Sequence, residues 1–152
     1  MGSVLGGLSD EIQKAAGLGE GPQAKIENSI GAWVDYVGRR PATARLLLRE
    51  LANAGPKLPQ ELIDAARPLA AFVRDAFILD DDVQEFFHGK HIRRIDPLQV
   101  ASTVAGATLF FVAATPLLSQ REGFDPLDAD QISAHKAELV RVVRRLLRFD
   151  EP

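Results

Sequence analysis

The sequence predicts an all-α fold, a single helical bundle domain of about six helices spanning residues 1–152. Three observations predict it. Proline and glycine recur where helices begin and end, apolar residues between them repeat every three or four positions, and no stretch alternates as a strand would. Proline suits a first helical turn because the amide it lacks has no partner there, and glycine suits the position after the last turn.

An N-terminal helix is expected near residues 3–16. Gly21-Pro22 opens the next segment, which closes at Gly38 and carries Ile26, Ile30, Trp33 and Val37 as one stripe. Pro41 opens a third, closing at Gly55, with Ala44, Leu47, Leu48 and Leu51 in register. Pro59 opens a fourth, striped by Leu62, Ala65, Leu69, Phe72, Val73 and Phe77; Pro68 inside it removes a backbone hydrogen bond and predicts a bend. A short extra turn is expected over 82–88. Asp96-Pro97 then supplies an N-cap and a first-turn proline for an apolar helix reaching about Ser119. Asp128 with Gln131 resembles a capping box for the last helix, whose stripe is Ile132, Leu139, Val143, Leu146 and Leu147.

The apolar helix is unlike the others. Val100, Val104, Phe111 and Leu118 lie on one side, and Gly106, Phe110, Ala113 and Leu117 on another, so it has to be covered on several sides. The chain's other helices cover part of it. The rest is expected to be a subunit interface built from Val104, Phe111 and Leu118 together with Leu139, Val143 and Leu146 of the last helix. Its apolar run, Val104 to Leu118, counts 15 residues, and a bilayer crossing needs about 20, so no membrane segment is expected.

Composition narrows the chemistry. The 152 residues include 18 Lys+Arg and 21 Asp+Glu, a net charge of −3, which argues against a polyanion-binding surface on this chain. There is no cysteine, which removes disulfides, thiolate metal sites and cysteine nucleophiles and suits a cytoplasmic location. No serine lies in a G-x-S-x-G elbow. His88 and His91 are spaced for a metal, but Lys90, Arg93 and Arg94 repel a dication and no third ligand accompanies them. Asp80, Asp81 and Asp82 lack calcium-loop spacing. Gly17, Gly19 and Gly21 precede a helix, but no strand leads into them and Glu20 opposes a phosphate. His135 falls near the apolar face of the last helix and reads as a packing residue. Neither catalysis, metal nor cofactor is expected.

Aromatic and apolar side chains remain. Trp33, Tyr36, Phe72, Phe77, Phe86, Phe87, Phe110 and Phe111 can line a cavity between helices, although most of any such set is plain core. The expected ligand-binding residues are Trp33, Tyr36, Leu47, Phe72 and Phe110. Tyr36, Arg49, Arg74 and Thr108 are polar groups available to orient a ligand.

The order of segments resembles a known family. Pro41–Glu50 (PATARLLLRE), following the helix with Trp33 and Tyr36, is similar to the middle of TetR-family transcriptional regulators. Ile95-Asp96-Pro97, the apolar helix and Thr115-Pro116-Leu117-Leu118 look like that family's penultimate segment. Gly123-Phe124-Asp125-Pro126 and the amphipathic helix after it match its ending. The resemblance implies an effector-binding and dimerisation domain, with the last two main helices of two subunits forming a four-helix interface. It also implies an N-terminal helix-turn-helix, which nothing before residue 20 resembles. Residues 1–16 then read as a connector towards that part, and DNA is contacted only through it. The implied partners are a second copy and a small, mostly apolar effector; no membrane is implied. A stand-alone protein–protein interaction module without a ligand is the competing reading, and a small helical enzyme ranks below both.

Overall fold

The computed structural model describes residues 2–54, 57–73, 85 and 97–147. Among them are six helices and no strand: α1 (Gly2–Gly17), α2 (Gly21–Arg39), α3 (Pro41–Asn53), α4 (Gln60–Val73), α5 (Pro97–Leu118) and α6 (Ala129–Leu146). Gly55, Asp96, Phe77, Phe86, Phe87, Arg74, His88, His91 and, apart from Glu85, the turn expected over 82–88 lie outside the described residues.

Helix boundaries fall where the punctuation placed them, with local differences in how each end is closed. Pro22 sits in the first turn of α2 and Pro41 in that of α3. Pro59 stays outside α4, and its carbonyl accepts the Ile63 amide at 3.1 Å. Helix α4 continues through Pro68. The Asp128–Gln131 capping box does not form: Asp128 is the N-cap of α6 but makes no side-chain cap. One turn earlier, the Asp125 carboxylate accepts the Leu127 amide at 2.9 Å and closes the turn that leads into α6.

Helix α2 is the hub. It packs on α1, α3, α5 and α6, while α4 lies against α1 and α5 lies on α3 and α2. Ile26, Ile30, Trp33, Val34, Tyr36 and Val37 are all buried, so α2 contributes the largest share of the core. Val100, Val104, Leu109 and Val112 of α5 join it, with Leu139 and Val143 of α6 and Leu147 just beyond.

Two antiparallel seams fix the helices around α2. Against α1, the Tyr36 hydroxyl lies opposite Gly7 and the start of α2 lies opposite Gly19. Glu11 of α1 pairs with Arg39, and Arg40 reaches the same carboxylate at 3.8 Å. Against α6, Arg144 holds Glu27 through two hydrogen bonds of 2.6 and 3.0 Å, and Lys136 holds both oxygens of Asp35 at 2.8 and 2.9 Å. Gly31 and Gly38 lie on the same seam. A β-carbon at Gly38 would come within 3.0 Å of Ile132 Cδ1, so glycine lets α6 approach closely. The Arg144 hydrogen bonds also keep the Glu27 carboxyl below its ordinary range, outweighing partial burial, which raises it.

Helix α5 carries no charged residue along its length. Over Gln99–Leu118 it is long and apolar enough, by length and composition alone, to cross a membrane, and 28% of that stretch is buried. The 15-residue count from Val104 stops short because Gln99, Ser102 and Thr103 are polar yet uncharged, and they lengthen the apolar window without breaking it. Phe110 (53% exposed), Leu117 (86%) and Leu118 (67%) project outward.

The turn between α1 and α2 depends on backbone proximity at Gly19. A β-carbon there would lie 2.6 Å from the Lys25 amide nitrogen and 2.8 Å from the Ala24 carbonyl carbon, atoms that cannot swing aside. Gly19→Ala is therefore expected to cost about 1–3 kcal/mol in urea denaturation. Gly17→Ala, whose β-carbon meets nothing within 4 Å, should leave stability unchanged or raise it by up to about 1 kcal/mol.

Candidate functional site

The residues that draw polar and aromatic chemistry together lie where α5 meets α6. Thr108 and Phe111 are one turn apart on α5, on the side turned to α6. His135 shares its α6 stripe with Leu139 and Val143, at four-residue spacing, so the fold that buries those two also brings the imidazole inward. Its ring stacks on Phe111 with centroids 4.1 Å apart and planes 6° from parallel. Nε2 lies 3.4 Å from the Thr108 hydroxyl oxygen.

Thr108 is fully buried, and its hydroxyl donates to the Val104 carbonyl at 3.0 Å. The oxygen's remaining lone pairs can accept a proton from the imidazole, which assigns that proton to Nε2. No hydrogen bond among the described residues reaches Nδ1. Burial pushes the His135 pKa below its ordinary value, because a half-buried imidazolium loses hydration. With its proton committed to a helix carbonyl and its oxygen shielded from solvent, Thr108 is not poised as a nucleophile. No group of three or more metal-ligating side chains forms among the described residues.

The side chains expected to bind a ligand are dispersed. Trp33 lies in the core, and its indole Nε1–H is buried with no hydrogen-bond partner among the described residues, at a cost of about 1–3 kcal/mol. Tyr36 is buried towards α1 with the Arg40 guanidinium 4.0 Å above its ring. Leu47 is partly buried on α3. The Phe72 side chain lies outside the described residues, and Phe110 faces outward. Of the candidate orienting groups, Arg49 is exposed and paired with Glu50 at 3.2 Å.

The expected interface residues divide in two. Val104, Leu139 and Val143 are buried in the chain's own core, and Phe111 is partly buried under His135. Leu118 and Leu146 stand at the surface, where Phe110, Leu117 and Val142 also lie. Apolar periodicity marked both sets; only packing within the chain separates them.

Sequence reasoning placed His135 correctly as a packing residue but did not pair it with Phe111. The spacing of apolar residues turns His135 inward on α6, but α5 is apolar on several sides, so the same spacing does not orient Phe111. Nor does it carry information on the relative axial position of α5 and α6, and that position decides the contact.

No protein-family model matches the chain, and neither a curated protein nor a solved structure matches it.

Neighbouring phenylalanines separate the inward and outward faces of α5. At a concentration low enough to keep the chain monomeric, Phe111→Ala is expected to cost about 2–3 kcal/mol in chemical denaturation, and Phe110→Ala less than about 0.5 kcal/mol.

Proposed function

We propose that this chain is the effector-binding and dimerisation domain of a TetR-like transcriptional regulator, controlling DNA binding by a helix-turn-helix outside this sequence. The observation that carries the reading is the outer face of α5, a helix without charge whose Phe110, Leu117 and Leu118 are exposed in the single chain. Apolar surface of that kind on a folded domain marks a contact with another molecule. In the proposed regulator the other molecule is a second copy, joined through the outer faces of α5 and α6. The orphaned Trp33 indole is a second support, since a ligand carrying a hydrogen-bond acceptor would satisfy it.

In this scheme an effector shifts the packing of α2, α5 and α6, and the shift passes through α1, which α2 grips at Glu11 and Gly7. The spacing of paired DNA-reading heads then changes, and operator half-sites about one helical turn apart make affinity depend on it. The coupling is reciprocal: effector and operator weaken one another by the same factor.

Native mass spectrometry tests the reading. A mass near twice 16.6 kDa is expected, with any retained effector adding to it. Phe110→Glu and Leu117→Glu, both at exposed sites, should give monomers with unchanged helical circular dichroism. Val143→Glu, placing a charge in the core, should unfold the chain instead. A wild-type chain that stays monomeric at micromolar concentration would exclude the dimerisation role and leave the interaction-module reading.

A further inference from the structure

The contact between α5 and α6 is narrow. Helix α6 is held along its length by α2, through Ile132 at Gly38, Lys136 on Asp35 and Arg144 on Glu27. Among the described residues, the polar and aromatic part of its attachment to α5 runs through His135, which stacks on Phe111 and approaches Thr108 beside the apolar packing of the shared core.

Protonation would alter that joint. A proton added to the neutral ring goes to Nδ1, where no acceptor among the described residues waits for it. Helix α5 contributes no carboxylate at any of its 22 positions. On α2, Asp35 and Glu27 are already occupied by Lys136 and Arg144. On α6 itself, Lys136 follows His135 directly, Asp130 and Glu138 are exposed, and Glu138 is held by Arg141. The Phe111 face attracts a cation, but it cannot accept the new N–H in its stacked geometry.

We propose that His135 is a proton-operated latch between α5 and α6: neutral, it docks α5 through Phe111 and Thr108; protonated, it turns to solvent and frees α5 to shift. The latch rests on this joint alone and does not depend on the regulatory reading. Burial already favours the neutral ring, and the sign follows from that. The unfolded or released state binds the proton more readily, so latch stability is full above the ordinary histidine pKa. It is lost as pH falls through that value towards the lower one of the docked ring.

The test is an NMR titration of the imidazole ring signals in the full chain, with His135 assigned through His135→Gln. It is paired with amide hydrogen exchange, corrected for intrinsic pH dependence, at pH 7.5 and 5.0. His135 is expected to titrate below the ordinary value, and exchange in α5 should accelerate on acidification while the α1–α2 seam stays protected. Each pH unit by which the docked ring's pKa is depressed corresponds to about a tenfold loss of latch closure at low pH. His135→Phe, which keeps a stacked ring but cannot titrate, should abolish the acid acceleration. Titration at or above the ordinary value would overturn the latch, because ring attraction would then have outweighed desolvation. Acid acceleration of equal size in His135→Phe would overturn it as well. If that variant fails to fold, the wild-type titration decides alone.

Discussion

The burial of α2 among four neighbouring helices is the constraint on which the rest of the molecule depends. A helix in the middle of a bundle cannot present large polar groups to its neighbours without pairing them. Here the pairing falls at the edges of the buried stripe, with Glu11 taking Arg39 and Arg40 on one seam and Arg144 and Lys136 taking Glu27 and Asp35 on the other. Partly exposed pairs of this kind contribute about 0–1 kcal/mol each. They contribute more to register than to stability: an antiparallel helix that slid by one turn would lose both partners on its seam together.

Gly31 and Gly38 serve the same register by a different route. They open a shallow channel along α2 into which Ile132 and the stem of Lys136 settle. Shape and charge therefore select one alignment of α6, and that alignment carries His135 to the level of Thr108 and Phe111. The site at the α5–α6 joint is thus positioned by α2, which contributes no side chain to the ring stack or its hydrogen bond.

Helix α5 presents the opposite situation. With no charge along its length it has no preferred seam, and packing alone decides which side faces in. Branched residues, Val100, Val104 and Val112, with Leu109, fill the interior, while Gly106, Phe110 and Leu117 are left outside. A bulky ring at 110 beside small residues at 106 and 113 makes a ridged surface, of the kind that packs against another helix. The same helix turns Phe111 towards His135, so the outer face and the titrating joint move together if α5 moves.

Much of this was legible from sequence. Helix number, order and approximate ends follow from local chemistry: where proline can stand, where glycine relieves a terminus, and which faces of a 3.6-residue repeat are apolar. The inward placement of Trp33 and Val37 follows from the same repeat, and so does the packing role of His135. Tertiary structure alone decided which side of α5 is inside, since a helix apolar all round has no moment to orient it. It alone decided that Val104, Leu139 and Val143 are consumed by the chain's own core, and that Asp125 rather than the Asp128 box secures the approach to α6. It alone brought His135 onto Phe111. Periodicity records the direction in which a side chain leaves its own helix; how far two helices slide along one another is set by long-range contacts such as Lys136 on Asp35, 101 residues apart in the chain.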